Sequence, residues 1–227
     1  MRFVIAAIIA VLVLAFLPAV TLRLSASSSL IHVSARTLVF ASSTDIETYT
    51  SDPVLGNATF LGNAQFVCLN LQYPTRCPTG ATFYGWPSSG WRADLSTIPT
   101  ANWIWAPNIT GQTTPAEYNQ FYFSRTIHLS GSPVSGSISI AVDDFAEVFL
   151  NGHVVGEIGS INYAPAAVLA QSYLQTFDLT PFLVAGNNVL TIFAENGAFG
   201  QCCPSSYSGN PAGVVFGGTI VSQTISA

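Results

Sequence analysis

The chain has no lysine, and its one methionine is Met1. Charged residues make up 7% of its 227 residues, against roughly 25% in an ordinary soluble domain. The six arginines stand apart from one another. That excludes a nucleic-acid binder, which needs a basic patch to neutralise phosphates. Charge-driven disorder is excluded too, because 49% of the residues are hydrophobic and 12% aromatic. Only one apolar run is long enough to cross a bilayer, so a polytopic membrane protein is excluded. Catalytic signatures are also missing. There is no G-x-S-x-G, H-E-x-x-H, G-x-x-x-x-G-K-[ST] or G-x-G-x-x-G. His32, His128 and His153 lie far apart in strand-like or turn-like contexts. No nucleophile–base set is visible, and the expectation is that the chain is not an enzyme.

What is present begins with the leader. Met1-Arg2 is followed by the uncharged run Phe3 to Val20 and then by Ser25-Ala26-Ser27-Ser28-Ser29. This reads either as a secretory signal cleaved near Ala26 to Ser28 or as a retained hydrophobic anchor helix. Both place the rest of the chain outside the cytoplasm, secreted or on the cell surface. A membrane is a partner only through this segment. Loss of Arg2 and Arg23 with the leader takes the net charge from −5 to −7. Two N-glycosylation sequons, Asn57-Ala58-Thr59 and Asn108-Ile109-Thr110, agree with export. So does the even cysteine count: Cys68, Cys77, Cys202 and Cys203. A bridge between neighbours Cys202 and Cys203 would strain the peptide. The expected pairings therefore tie the 68–77 segment to the 202–203 loop.

Organisation follows from the strand pattern. Residues 1–26 form the leader, 27–60 a β-rich extension and 61–226 a sandwich. Thr37–Ala41 is a clear strand. From Trp103 short β-rich runs recur between Gly, Pro, Asn and Ser, at 120–129, 137–142, 147–150, 153–158, 173–179, 189–195 and 214–226. Polar and apolar residues alternate in Ser137-Ile138-Ser139-Ile140-Ala141-Val142, as a half-buried strand requires. Asn151-Gly152 predicts a two-residue hairpin. Thr180 as cap, Pro181 at the first helical position and Gly186 as stop predict one short helix. Strands this short, with turn signals this frequent, specify an all-β antiparallel sandwich or barrel.

Five blocks resemble the galactose-binding-like jelly roll of carbohydrate-binding modules and of sugar-binding domains in glycoside hydrolases. They are Trp103-Ile104-Trp105-Ala106; Phe121-Tyr122-Phe123-Ser124-Arg125-Thr126-Ile127; the hairpin from Ala141 through Asp143-Asp144 to Asn151-Gly152; Phe177-Asp178-Leu179-Thr180 with Leu183 and Gly186-Asn187-Asn188-Val189-Leu190; and Glu195-Asn196-Gly197 with Asn210-Pro211-Ala212-Gly213-Val214. The resemblance covers residues 103–226. It implies a jelly-roll sandwich with a ligand end, where Tyr207 and Asn210 become glycan-binding candidates. It also implies a structural calcium as the one cofactor to consider, with Asp143, Asp144 or Glu157 as oxygen ligands.

Trp86 and Trp91 lie in a Gly/Pro-rich stretch and are candidate platforms for a sugar ring, or else cover the sandwich edge. Trp103 and Trp105, two apart, face one side of a strand and pack inward. Asp143 and Asp144 precede a strand, where a carboxylate accepts backbone N–H bonds. Two functions fit. One is a non-catalytic extracellular structural or adhesive subunit that assembles with copies of itself. Its strand Ile31–Ala41 would add to a neighbour's sheet edge or complete its own sandwich. The other is a lectin-like glycan-binding module.

Overall fold

The computed structural model describes residues 32–69, 77–85, 90–198 and 206–226. The leader, Trp86, Cys202 and Cys203 lie outside the described residues. Among the described residues no helix is long and apolar enough to cross a membrane.

The strands are β1 (His32–Ala41), β2 (Glu47–Tyr49), β3 (Phe60–Asn63), β4 (Gln65–Leu69), β5 (Thr82–Tyr84), β6 (Ile104–Trp105), β7 (Gln120–Leu129), β8 (Ser132–Asp143), β9 (Phe145–Leu150), β10 (His153–Gly159), β11 (Gln175–Asp178), β12 (Gly186–Glu195) and β13 (Gly213–Ser226). They form two sheets. One runs β11-β8-β13-β6-β4-β5, with β1 also on β13. The other runs β10-β9-β12-β7-β2-β3. Pairing is antiparallel except between β4 and β5. This is the two-sheet architecture that the resemblance implies.

Alternation places the core between the sheets. Ile138, Ile140 and Val142 of β8, Val148 and Leu150 of β9, Leu190, Ile192 and Ala194 of β12, and Val214 and Phe216 of β13 are all buried there. Trp103 and Trp105 are buried as expected. The tight end of the sandwich is held by amides. Asn151 and Gly152 adopt positive φ, 55° and 79°, in the turn between β9 and β10. The Asn151 side chain then reaches beyond its own turn. Its Nδ2 donates to Phe182 O at 2.9 Å, and its Oδ1 accepts from Val189 N at 2.8 Å. Buried Asn188 closes the next turn, its Oδ1 accepting from Val184 N and its Nδ2 donating to Val184 O. These part-buried backbone groups thereby each keep a hydrogen-bond partner, a contribution of about 0.5–1.5 kcal/mol apiece.

Three expectations are corrected or resolved here. First, the α-helix, α1, spans Ala164–Ser172, not the stretch after Thr180. Thr180–Phe182 is a single 3-10 turn. Asp178 Oδ1 accepts from Thr180 N, while Thr180 Oγ1 accepts from Gly136 N, so the hydroxyl serves β8 and caps no helix. Second, Cys68 pairs with Cys77, nine residues on, with Cα atoms 5.8 Å apart. Cys68 sits on β4, and Cys77 precedes β5, which pairs with β4 in parallel. The bridge agrees with an oxidising compartment. Third, β1 pairs with β13 of its own chain, with Ser34 Oγ 2.7 Å from Thr224 Oγ1. Residues 32–63 thus supply strands to both sheets, since β2 pairs with β7 and β3 with β2.

Candidate functional site

The long connections 106–119, 160–174 and 196–212 all leave one end of the sandwich, together with the segment 90–103. Loops on a rigid scaffold are the usual place for a site. Here, among the described residues, the aromatic and amide side chains that converge between the sheets at that end are buried. Trp91 is 1% exposed. Its indole stacks on Trp103 at 4.5 Å and donates from Nε1 to Asp143 Oδ2 at 2.8 Å. Tyr207 is fully buried against Tyr84, and its hydroxyl accepts from Trp105 Nε1 and Asn119 Nδ2. Asn210 is buried and donates to Gly197 O at 2.7 Å. The glycan-platform reading of Trp91, Tyr207 and Asn210 is therefore corrected: no face of these side chains meets solvent. Gly and Pro around Trp91 signalled a loop, but the indole N–H found a buried carboxylate.

Asp143 and Asp144 are both buried. Burial first, then the Asp144 carboxylate, pushes the Asp143 carboxyl well above the usual range. Asp144 is also raised by burial, although Gly197 N donates to its Oδ2 at 2.9 Å. Two adjacent buried acids with one neighbour's charge between them favour a shared proton. Glu157 is exposed on β10, directly opposite Glu147. Among the described residues no three His, Cys, Asp or Glu side chains are grouped to hold a metal. Asp143, Asp144 and Glu157 are thus not brought together among the described residues, and the two aspartates act as latches for Trp91 and Gly197.

The histidines are likewise structural in surroundings. His128 Nδ1 lies 2.8 Å from Asn187 Oδ1, and His153 stacks on Phe182. A groove of about 480 Å³ between α1 and β10–β11 is lined mainly by Ile158, Ala166, Leu169 and Tyr173. Another of about 520 Å³ includes Asp94 and Asn102. Two polar side chains of the second are occupied locally, Asp94 by Ser96 N and Asn102 by Thr100 O.

The outer face of the six-stranded sheet is different. Residues directly opposite in register share a face. The register aligns Phe60, Tyr49, Tyr122, Phe193, Glu147 and Glu157 in one row across β3, β2, β7, β12, β9 and β10. Tyr49 and Phe60 have ring centroids 5.5 Å apart, and Tyr122 and Phe193 5.0 Å apart. Phe145, one row along, meets Phe193 at 6.2 Å. Phe60 is 53% exposed, and the other rings of the row are half-buried. Glu47 and Glu195 sit in the flanking rows. Tyr49 donates to Glu47 Oε2 at 2.8 Å. Partial burial raises the Tyr122 hydroxyl, with Asp52 and Glu147 adding to it. Burial and then Glu157 raise Glu147. Arg125 takes the opposite parity on β7, held by Asp45 at 3.1 Å. Among the described residues no arginine occupies an outward position on these six strands. The result is an open strip of aromatic rings edged by hydroxyls and carboxylates. That chemistry stacks on apolar sugar faces and exchanges hydrogen bonds with sugar hydroxyls.

The chain is similar to part of an alpha-L-rhamnosidase. The relative, from Formosa agariphila, is 28% identical over 120 residues, covering 51% of this chain and 12% of that protein. The chain thus spans about an eighth of the relative's length. Among solved structures, the Streptomyces avermitilis alpha-L-rhamnosidase complexed with L-rhamnose aligns over 62% of this chain and 12% of that one, at 18% identity and a TM-score of 0.41. A Pleurotus ostreatus lectin in complex with GalNAc aligns over 55% of this chain and 33% of that one, at 17% identity and a TM-score of 0.37. No family model matches the chain.

The aromatic row was not read from the sequence, because its members come from four strands and only register joins them. One local signal existed. In β7 the residues Phe121 and Phe123 face the core, so Tyr122 between them must face out. The sequon asparagines do lie where a glycan can attach: Asn57 and Asn108 are exposed, in positive-φ backbone at 64° and 63°.

Proposed function

We propose that this protein is a non-catalytic, exported carbohydrate-binding module that holds a glycan on the outer face of its six-stranded sheet. The observation that carries the reading is the single cross-strand row of Phe60, Tyr49, Tyr122 and Phe193 beside Glu147. Soluble domains seldom leave aligned aromatic rings open without a partner. The relative of which the chain matches a small part is a rhamnosidase, which agrees with a segment that holds sugar. The buried engagement of Asp143 and Asp144 and the separate surroundings of the histidines support the absence of catalysis. A glycan array with the full chain tests the reading. Binding that is lost in both Tyr122→Ala and Phe193→Ala, with folding retained, is expected. Binding unchanged by both variants rejects this face.

A structural, self-assembling role is the second reading, and β1 carries it. This ten-residue strand lies at a sheet edge with one partner, β13, and Val39 is 68% exposed on it. A long edge strand is a ready template for strand addition between copies. Electron micrographs of native material test it. Filaments that Val39→Lys abolishes would support assembly; a monodisperse monomer would reject it.

A further inference from the structure

We propose that the sheet face binds the interior of an extended, uncharged polysaccharide lying across the strands, and neither a sugar terminus nor an acidic glycan. This inference rests on the carbohydrate-binding reading and adds the ligand's length, direction and charge.

Length and direction come from the row. Phe60, Tyr49, Tyr122 and Phe193 stand on four neighbouring strands. Neighbouring strands lie about 4.8 Å apart, so the rings span roughly 14 Å, and the row extended to Glu157 spans roughly 24 Å. The row is perpendicular to the strands and open along its length. A site for a terminal sugar needs an enclosed pocket with converging polar groups. Here successive rings offer successive stacking surfaces, so affinity accrues with each sugar unit added to the chain.

Charge gives the class. Glu47, Glu147, Glu157 and Glu195 all face out on this sheet, and Glu147 stands directly opposite Glu157. A uronate or sulfate group would meet these carboxylates with no arginine among the described outward positions of the sheet to offset them. A neutral chain offers only hydroxyls, which the carboxylates accept and the tyrosine hydroxyls can exchange with. The same argument disfavours a second copy of the chain as occupant. A two-fold contact would press this acidic face against itself.

The test uses the full chain, isothermal titration, and ladders of neutral oligosaccharides derived from cellulose, xylan and mannan, from monomer to hexamer. Polygalacturonate is the acidic counterpart. The expected result is one neutral ladder whose tetramer binds at least about tenfold more tightly than its monomer, with Tyr122→Ala and Phe193→Ala each losing about tenfold on the tetramer. Polygalacturonate is expected to bind more weakly than the neutral chain. Three outcomes overturn the inference: a monomer that binds as well as the tetramer, tighter binding of polygalacturonate, or a dimer that Tyr122→Ala dissolves. Length-independent binding abolished by the two variants would leave the carbohydrate reading standing and remove only this inference. No binding to any of the glycans would remove both.

Discussion

The indole Nε1 of Trp91 donates a 2.8 Å hydrogen bond to Oδ2 of Asp143 in the buried end of the sandwich. That bond joins the segment 90–103 to the last residue of β8. Around it the Trp91 ring stacks on Trp103, and Tyr84 meets it edge-on at 6.4 Å. Asp144, the next residue, accepts from Gly197 N and so fixes the exit of β12. One dipeptide therefore anchors two of the loops at this end. The arrangement keeps the polar groups of this dipeptide occupied inside the sandwich.

Trp91→Phe should destabilise the fold without changing its architecture. The variant leaves a void where the larger indole packed and removes a donor from a buried carboxyl. Together these should cost about 2–4 kcal/mol. Urea unfolding followed by far-UV circular dichroism measures it. A midpoint equal to that of the parent would mean that the bond contributes nothing.

The same dipeptide sets a pH dependence. Burial first, and then the charge of Asp144, raise the Asp143 carboxyl in the folded state. Asp144 is raised as well, by burial. A raised folded value means that the native state holds the proton more tightly than the unfolded chain does. The associated stability is fully present below the ordinary carboxylate value of about 3.9 and is lost as pH rises through the folded value. Asp143→Asn keeps an acceptor for Trp91 and supplies a permanent donor toward Asp144. Its stability relative to the parent should therefore rise from about pH 4 to pH 8. Parallel pH profiles for parent and variant would show that the aspartate does not hold a proton.

The sandwich was legible because its strands alternate. The reading of Gln120–Leu129 as one strand coincides with β7, and Asn151-Gly152 makes the turn it specifies. The helix α1 was missed because Ala164–Ser172 has no charged residue and no polar stripe, so its sequence carries no helical period. Ala167 and Ala170 face inward while Val168 and Leu169 stay exposed, and tertiary contact with β8 and β10 decides its conformation. The loop after β11 shows the converse. Thr180 and Pro181 carry helix-start signals, but Gly136 N claims the threonine hydroxyl and the chain makes only a short turn. The proposed binding face was illegible for a different reason. Tyr49, Phe60, Tyr122 and Phe193 become neighbours only once three strand registers are fixed, and no spacing along the chain encodes that.

Removing the bridge between Cys68 and Cys77 should have a modest effect. The two are nine residues apart, so the loop that the bridge closes is short. In the chain-entropy account a loop this size is worth about 2–3 kcal/mol, less than a link between distant segments. The double variant Cys68→Ala, Cys77→Ala should therefore lower the urea midpoint but still fold. A variant that fails to fold at all would show that the bridge organises β4 and β5 and does more than limit the unfolded chain.

Gly159 and Gly80 form a matched comparison at positive φ, 84° and 83°. Any side chain at such a backbone angle costs about 1–2 kcal/mol. Their surroundings differ. A Cβ at Gly80 would meet nothing within 4 Å, whereas one at Gly159 would fall 1.9 Å from Asp144 O. That carbonyl accepts from Ser160 N and belongs to the residue that latches Gly197. It cannot retreat without disturbing the buried end. Gly80→Ala should thus show the backbone cost alone, and Gly159→Ala that cost plus at least about 1–3 kcal/mol of overpacking. Urea midpoints of the two variants, compared side by side, decide it. Equal losses would mean that Asp144 moves freely and that the dipeptide does not anchor this end.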